Sequence, residues 1–302
     1  MKKTATDATR PAVLARIAEL EAAGRFDEHT DPVDMSIAMP VTPDFPYVRT
    51  AFRDKCDTFF RRHFVVYPFT RKVCRKDFDL QIKGKENLRG VGAAIVTCNH
   101  FTKFDCLAVQ YALRPNRPFV VAAHFNNMRG SFGDAMRAGG MLPMGSGDLA
   151  TTKAFLFAVR HYLTHGKRVL VYPEQAMWWF YRKPRPMKDG AFDLAVRNGV
   201  PVLPLFITMR PSGNIDDNGI EYPYLTLHIM PPITAPAELG FKDKVRFLRE
   251  ANERLCREKY REVYGEEPTY ACGNWDSVFR GAGKQTTPAG EQTSPAAEKE
   301  SD

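Results

Sequence analysis

The stretch AIVTCNHFTKFDCLAVQYAL, residues 94–113, decides the fold. Its first part is an apolar, β-branched run typical of a buried strand, which ends at Asn99 and His100, and a helical pattern follows at once. His100 and Asp105 are separated by four residues, a spacing that spans a turn and the first turn of a helix. The carboxylate can therefore fold back towards the imidazole.

The same alternation of short apolar runs and helical patterns continues along the chain. Strands are predicted at 80–83, 93–98, 118–123, 168–172, 202–208 and 224–230. Helices are predicted at 104–113, 131–138, 148–165, 189–198 and 241–263. This order predicts an α/β fold, in which a central, mostly parallel sheet is flanked by helices, with an N-terminal helical extension.

The N-terminal part differs from this α/β region. Residues 11–24 predict a short helix, and a second helix is expected from Asp44, as its N-cap, to Tyr67, where Pro68 ends it. These patterns divide the chain into four segments. They are an acidic N-terminal extension at 1–46, a basic amphipathic helical segment at 47–78, an α/β domain at 79–265 and a C-terminal segment at 266–302 that ends in a disordered tail.

The positive charge of the chain is concentrated in its middle. All 302 residues together carry a formal net charge of +8, whereas residues 47–283 alone carry +13. Such a body favours an anionic partner, whether nucleic acid, lipid headgroups or a phosphorylated small molecule. A hydrophobic content of 44% excludes a disordered, collagen-like or coiled-coil chain, and no apolar run is long enough to predict a membrane-spanning helix. Six cysteines without a CxxC pair favour a reduced, cytoplasmic setting.

His100 and Asp105 have the residue types of a general base and its partner. A carboxylate that accepts a hydrogen bond from one ring nitrogen fixes the histidine tautomer. It also stabilises the imidazolium that forms when the other nitrogen takes a proton. This is the chemistry needed to activate a hydroxyl group. The residues alone also allow a structural histidine at a strand end, with Asp105 as a helix-terminal charge.

A second candidate site lies in residues 166–208, where a buried strand ends at Tyr172, Pro173 and Glu174. The carboxyl ends of parallel strands are where α/β folds place their sites, so we expect Glu174 to line the same cleft as His100. The alternative is that Glu174 is an ordinary surface carboxylate. A loop rich in aromatic and basic residues follows it.

Two cofactor patterns are present only in part. Cys98 and His100 could ligate a metal, but no second ligand pair at zinc spacing accompanies them, so no metal is expected. Residues 145–150, GSGDLA, fit a loose dinucleotide-binding pattern, but glycines and Pro143 interrupt the run before it. We therefore expect neither a strand before this stretch nor a bound nicotinamide cofactor.

Together these segments resemble the glycerolipid acyltransferase family, whose members acylate lysophosphatidic acid and related lysolipids. The resemblance covers about residues 80–230 and rests on blocks that follow one another in the family's order. These blocks are the His-x4-Asp motif in NHFTKFD (99–105), the glycine-led GGMLPM (139–144), the Pro-Glu motif in YPEQAMW (172–178), KDGAF (188–192) and VPVLP (200–204).

The resemblance implies O-acyl transfer from an acyl thioester, either acyl-CoA or acyl-carrier protein, to a hydroxyl of a lysophospholipid. An example of such an acceptor is 1-acyl-glycerol-3-phosphate, in phospholipid biosynthesis or remodelling. His100 becomes the catalytic base and Asp105 its partner, while Asn99 or nearby backbone N–H groups hold the oxyanion. Glu174 and Gln175 become substrate-binding residues. The resemblance implies no metal and no cofactor beyond the thioester donor. The basic helix at 47–67 could suit nucleic acid, but its apolar stripe favours burial or a membrane interface, so no nucleic-acid partner is expected.

Two arginines that the family directs at the acceptor's phosphate are absent. Gly145, Ser146 and Gly147 lie where one is expected, and residues 175–177 replace the family's Gly-Thr-Arg. Two substitutes are possible. One is the helix start at residues 145–148, whose N–H groups can hold an anion, and the other is the set of basic-loop residues Arg182, Lys183, Arg185 and Lys188. A plain capped loop and a solvated basic loop are the alternatives. The departures keep open a non-phosphate lipid acceptor, and also a non-catalytic membrane lipid-binding protein with the same fold.

Residues 47–76 predict peripheral attachment to the cytoplasmic face of an anionic membrane, with the 178–188 loop as a second contact. They hold nine Lys or Arg against two Asp, and apolar residues recur among them at helical spacing. The apolar stripe consists of Val48, Phe52, Cys56, Phe59, Phe60, Phe64 and Tyr67. The alternative is that this stripe packs onto the core of the domain.

Overall fold

A computed structural model describes residues 10–31, 35–145, 147–215 and 220–270. Its centre is a seven-stranded sheet in the order β1-β7-β6-β2-β5-β3-β4. The strands are β1 (Gln81–Lys83), β2 (Ala94–Thr97), β3 (Phe119–Ala122), β4 (Met141–Pro143), β5 (Arg168–Val171), β6 (Val202–Arg210) and β7 (Tyr224–Ile229). Every neighbouring pair is parallel except β6 and β7, which are antiparallel. The predicted α/β fold with a mostly parallel sheet is therefore confirmed.

Helices cover both faces of the sheet. In the described ranges they are α1 (Arg10–Ala22), α2 (Phe52–Arg61), α3 (Tyr67–Lys72), α4 (Asp105–Ala112), α5 (Gly130–Ala138), α6 (Leu149–Thr164), α7 (Gly190–Asn198) and α8 (Phe241–Tyr264). Side chains of β2 alternate between two apolar clusters. Ala94 and Val96 pack in the cluster that contains α1 and α4, whereas Ile95 packs in the cluster of α6, α7 and α8. This layering puts the ends of β2 and β5 side by side in the middle of the sheet.

The first helix belongs to the same core as the sheet. Four apolar side chains of α1 are buried in the cluster that contains Trp178; they are Val13, Leu14, Ile17 and Leu20. An ion pair continues this contact, because Lys183 Nζ lies 3.0 Å from Glu21 Oε1. The same oxygen accepts a hydrogen bond from the hydroxyl of Tyr181 at 3.1 Å. Helix α1 therefore holds the loop after β5 against the domain.

The second N-terminal helix begins at Phe52, not at Asp44 as the sequence predicted. The buried side chain of Tyr47 explains the difference. Its ring packs edge-on against Phe155, and its hydroxyl donates to the carbonyl oxygen of Pro143 at 2.6 Å. These tertiary contacts hold residues 44–51 in an irregular conformation at the edge of the sheet and override the local helical pattern.

The same helix passes through Pro68, where the sequence predicted its end, and reaches Asp77. It runs as α2, a π-helical turn (Arg62–Val66), α3 and a second π-helical turn (Val73–Asp77). In the first π-helical turn the N–H of Tyr67 bonds to the carbonyl of Arg62. The wider turn shifts the hydrogen-bond register and accommodates Pro68, which has no N–H to donate.

Strand β4 was not expected, and the prediction that no strand precedes residues 145–150 is wrong. The strand forms at the edge of the sheet and pairs only with β3. An edge strand tolerates Pro143, because only one of its sides needs hydrogen bonds. Gly140, just before the strand, has a φ of +98°, and a Cβ there would lie 3.2 Å from the Phe119 ring. The glycine marks a close approach of two strands rather than a break.

No helix in the described part of the chain is long and apolar enough to span a membrane. The predicted disordered tail at 281–302 and the candidate residue Ser146 lie outside the described residues. The division of the chain into four segments stays a prediction, although α1 and the α/β domain share one apolar cluster.

Replacing Lys183 by Met should destabilise the fold strongly. The change leaves the Glu21 carboxylate buried without a cation, and breaking a buried ion pair typically costs about 3–5 kcal/mol. Side-chain exposures are 4% for Lys183 and 1% for Glu21, against 50% and 43% for the surface pair Lys188–Asp27. Lys188→Met is therefore a matched control, expected to cost under about 1 kcal/mol. Urea unfolding measures both, and equal losses would contradict the role given to the buried pair.

Candidate active site

His100 and Asp105 lie at the carboxyl edge of the sheet, where β2 ends and α4 begins. The Nδ1 atom of His100 is 2.8 Å from Oδ2 of Asp105. The Asp105 side chain is buried, whereas that of His100 is 22% exposed, so the imidazole reaches solvent while its partner does not. The strand-turn-helix order of the sequence therefore brings the two side chains into contact.

Asp105 accepts hydrogen bonds at both carboxylate oxygens. Oδ2 also accepts hydrogen bonds from the backbone N–H groups of Phe101 at 3.0 Å and Thr102 at 3.2 Å, which closes the turn. An ionised carboxylate only accepts hydrogen bonds, so the proton of a neutral His100 ring lies on Nδ1. Nε2 then carries a lone pair, and no described residue hydrogen-bonds it. The arrangement leaves His100 able to take a proton at Nε2.

Tyr172 completes this group, and the sequence reasoning missed it. Its hydroxyl donates to Oδ1 of Asp105 at 2.6 Å, and its ring stacks on the His100 ring with centroids 4.0 Å apart. Burial, followed by the charge of Asp105, raises the pKa of Tyr172 well above its usual value, so the hydroxyl keeps its proton. A signal was present in the sequence, because Tyr172 directly follows β5, the neighbour of β2, and precedes the Pro-Glu motif.

The backbone of His100 is held by a buried ion pair between Glu174 and Arg185. Oε2 of Glu174 accepts from the His100 N–H at 3.1 Å, and the Arg185 guanidinium donates to the His100 carbonyl at 3.1 Å. Arg185 Nη2 lies 2.8 Å from the same Oε2. Arg185 also donates to the carbonyl of Phe26 at 2.9 Å, which ties the N-terminal segment to the same point. Nothing in the basic loop of the sequence distinguished this arginine from its neighbours.

Glu174 lies beside His100 at the same edge of the sheet, where the sequence placed it. Its buried carboxylate already accepts from His100 and from the backbone N–H of Arg185, the latter at 3.0 Å. Asn99 is engaged in a similar way, because its side-chain amide exchanges two hydrogen bonds with the backbone of Ile207 on β6. In this geometry both side chains fix the backbone around His100 instead of projecting free polar atoms towards a substrate.

The cations of the loop after Glu174 are each paired with a carboxylate. The pairs are Arg182–Glu266 (2.8 Å), Lys183–Glu21 (3.0 Å), Arg185–Glu174 (2.8 Å) and Lys188–Asp27 (2.8 Å). Gln175, the other predicted substrate-binding residue of this region, is exposed and has a φ of +66°. The carboxylate partners of Arg182 and Lys188 offset part of the charge that these side chains would offer to a phosphate headgroup.

The helix start after Gly147, the second predicted anion site, is capped by a carboxylate of its own. Asp148 Oδ1 accepts from the N–H of Thr151 at 2.8 Å, as an N-cap does. Gly147 itself has a φ of +113°, a conformation that favours glycine. The contacts that the structure describes here are those of a capped loop.

Cys98, two residues before His100, is held as a thiol. Burial, reinforced by the charge of Asp105, raises the pKa of Cys98 well above its usual value, so it does not supply a thiolate nucleophile. Within the described ranges, no three His, Cys, Asp or Glu side chains come together as metal ligands. Of the groups around β2, the imidazole of His100 is the one placed to exchange a proton with a substrate.

A solved structure has a similar fold. It is the 1-acyl-sn-glycerophosphate (LPA) acyltransferase PlsC from Thermotoga maritima, which matches with a TM-score of 0.50 and 18% sequence identity over 75% of this chain and 89% of that one. At this identity the likeness concerns the fold alone. No curated protein is detectably similar in sequence.

A family model matches the site itself. Residues 79–208 match the model of the Acyltransferase family. This range contains His100, Asp105 and every block from NHFTKFD to VPVLP. The predicted resemblance is thereby confirmed at the level of the Acyltransferase family: residues 79–208 form a domain of this family, and the chain is an acyltransferase.

Proposed function

We propose that the enzyme moves a fatty acyl group from an acyl thioester, acyl-CoA or acyl-carrier protein, to the hydroxyl of a lysophospholipid such as 1-acyl-glycerol-3-phosphate. The family match and the PlsC-like fold support a glycerolipid acceptor. The observation that carries the proposal is the hydrogen bond between His100 Nδ1 and the buried carboxylate of Asp105. This bond leaves Nε2 as the base that such a transfer requires.

The reaction begins at Nε2 of His100, which removes the proton from the acceptor hydroxyl. The oxygen attacks the thioester carbonyl and forms a tetrahedral intermediate, which collapses with loss of the thiol. The sulfur leaves as this thiol because the imidazolium gives its proton to the departing thiolate as the carbon–sulfur bond breaks, which restores neutral His100. Asp105 stabilises the imidazolium between these steps, and Tyr172 holds Asp105 in place. This sequence of steps needs no metal and no cofactor beyond the donor.

A non-phosphate lipid acceptor is the second candidate, and one observation favours it. Arg182 and Lys188, the substitutes for the family's missing arginines, are paired with Glu266 and Asp27. Thiol release from acyl-CoA, measured with lysophosphatidic acid and with the monoacylglycerol of the same chain, separates the two acceptors. Faster turnover with lysophosphatidic acid supports the phosphate acceptor, and faster turnover with monoacylglycerol supports the second candidate.

We propose further that residues 47–76 attach the enzyme to the cytoplasmic face of an anionic membrane. Four aromatic side chains of α2 and the following π-helical turn point to solvent instead of packing on the core. This aromatic face consists of Phe52 (83% exposed), Phe59 (53%), Phe60 (59%) and Phe64 (68%). An exposed apolar face flanked by Lys and Arg has the composition of an interfacial helix, which supports peripheral binding.

Replacing His100 by Ala should abolish acyl transfer while the fold remains. The change removes the base, and general-base catalysis typically contributes 10²–10⁴-fold, or roughly 3–5 kcal/mol of barrier. Asp105→Asn should also impair transfer, and the double variant should be little worse than His100→Ala, because both residues act on one proton transfer. Cys98→Ala is the control with a small expected effect. Near-normal turnover of His100→Ala with a lysolipid would rule out the mechanism.

Tyr172→Phe should lower kcat about tenfold, equivalent to about 1.4 kcal/mol of barrier, and change KM less than twofold. The phenylalanine keeps the ring stacked on His100 but removes the donor to Asp105, so the carboxylate is less well fixed. Tyr172→Leu, which loses the stacking as well, should be slower still. Steady-state kinetics and a melting temperature for each variant are the measurements. A kcat unchanged in Tyr172→Phe would show that the hydroxyl does not position Asp105.

Replacing Phe60 and Phe64 by Ser should weaken binding to vesicles that contain anionic lipid. Each side chain loses apolar area that the membrane would otherwise cover, and each basic residue near the surface adds on the order of 1 kcal/mol. Phe241→Ser, on α8 and outside the aromatic face, is the control. Co-sedimentation measures bound protein. Equal binding of the unchanged protein to neutral and anionic vesicles at low salt would remove the electrostatic part of the proposal.

A further inference from the structure

A basic cavity lies on the flank of the sheet, between residues 45–63 and the edge strand β4. Its volume is about 370 Å³, which falls in the range of roughly 300–1,000 Å³ usual for small-molecule sites. Four cationic side chains line it, namely Arg49, Lys55, Arg62 and Arg137. Within the described ranges, no carboxylate is among the lining residues.

The cavity is separate from the catalytic site. It lies against β4, and the strands β3 and β5 stand between β4 and β2, which leads to His100. Three strand spacings correspond to about 14 Å across the sheet. Phe119 and Met141, which line the cavity, begin their strands, whereas His100 follows the end of a parallel strand. The cavity is therefore displaced from the catalytic edge along the strands as well as across them.

Three of the four cations have no carboxylate partner in the described part of the chain. Arg49 donates to the hydroxyl of Thr58, and Nε of Arg62 donates to the carbonyl of Ala138 at 2.9 Å. The ammonium of Lys55 has no partner there. Only Arg137 is paired, with Asp134 at 2.6 Å. Asp134 offsets part of the positive charge, because it is paired with Arg137 and its charge also interacts with that of Arg49. The charges of Arg49, Lys55 and Arg62 are not neutralised by an ion pair of their own, so they would attract an anion into the cavity.

The rest of the lining is mostly apolar and leads outwards, with Thr58 and the imidazoles of His63 and His161 as its polar members. Phe45, Tyr47 and Leu142 line the inner part, and Phe59 is a member of both the cavity lining and the aromatic face. A ligand held here by its charge can therefore leave through an apolar exit. A cationic interior with an apolar exit is complementary to an amphiphile that has one anionic end and apolar chains.

We propose that this cavity binds the phosphate-bearing headgroup of one anionic phospholipid, whose acyl chains leave along the aromatic face. The proposal deepens the membrane attachment proposed above, because it replaces a diffuse attraction by one defined site. The headgroup lies among Arg49, Lys55 and Arg62, away from His100. Bound lipid would thus hold the enzyme at the membrane without occupying the catalytic site.

The test uses a soluble lipid, so that it does not depend on vesicle binding. Dihexanoyl phosphatidylglycerol, below its critical micelle concentration, is titrated into the full chain by calorimetry. We expect it to bind at least tenfold more tightly than dihexanoyl phosphatidylcholine, which has the same chains but no net charge. The variant Arg49→Gln/Lys55→Gln should bind phosphatidylglycerol at least tenfold more weakly. Equal affinity for the two lipids would overturn the proposal.

A matched control separates the site from general charge. Arg53→Gln/Lys76→Gln removes the same charge from exposed positions of the same segment that do not line the cavity, and it should bind like the unchanged protein. An equal loss of affinity for phosphatidylglycerol in both double variants would overturn the assignment of the lipid to this cavity. Lys55→Gln alone, which breaks no hydrogen bond of the described structure, should still bind several-fold more weakly, and no loss there would count against the proposal.

Other anions identify the occupant. Inorganic phosphate and adenosine 3′,5′-bisphosphate are titrated in the same way, and either one binding as tightly as phosphatidylglycerol would overturn the lipid assignment. Turnover in neutral detergent micelles should stay within twofold in Arg49→Gln/Lys55→Gln, because these residues lie outside the catalytic site. Loss of turnover there would overturn the separation of the two sites. Tight binding of the soluble lipid without vesicle binding would support this site while contradicting the proposed membrane attachment.

Discussion

The buried carboxylate of Asp105 is the group on which the rest of the site depends. A charge away from water is costly unless its oxygens are hydrogen-bonded. Four donors meet this requirement: the N–H groups of Phe101 and Thr102, the ring of His100 and the hydroxyl of Tyr172. They come from the turn after β2 and from the end of β5. The carboxylate is therefore satisfied only when β2, β5 and α4 are in place, and His100 then has one orientation.

A second buried charge pair supports this group through the backbone. Glu174 accepts a hydrogen bond from the backbone N–H of His100, and Arg185 donates one to the backbone carbonyl of His100. Both backbone polar groups of His100 are therefore fixed by this ion pair. The residues that replace the family's Gly-Thr-Arg, 175–177, follow Glu174 and leave this pair intact. The replacement of Gly-Thr-Arg therefore changes the loop that follows Glu174, while the contacts of Glu174 and Arg185 with the His100 backbone are kept.

Local patterns predicted the parts of this structure that local forces determine. The bounds of β2, β5 and α4 follow from apolar runs and helical periodicity, and the contact of His100 with Asp105 spans a single turn. Contacts between segments that are distant in sequence produce no apolar run or helical periodicity from which they could be predicted. The pairing of Arg185 with Glu174 depends on the path of the loop between them. The position of Tyr172 before the Pro-Glu motif marks it as a strand-end residue, but its contact with Asp105 depends on β5 lying beside β2. The helix through Pro68 likewise depends on a π-helical turn that no propensity indicates.

Charge is distributed unevenly between the surroundings of His100 and the flank of β4. In the loop after Glu174, each of the four cations is paired with a carboxylate, and two of these carboxylates, Glu21 and Asp27, come from the N-terminal segment. On the flank of β4, Arg49, Lys55 and Arg62 have no carboxylate partner in the described ranges. Cations without a carboxylate partner therefore cluster on the flank of β4, away from His100. Arg49, Lys55 and Arg62 belong to the segment beside β4, whereas His100 follows β2, and two strands stand between β4 and β2. Substitutions at these cations therefore need not alter the geometry at Nε2 of His100.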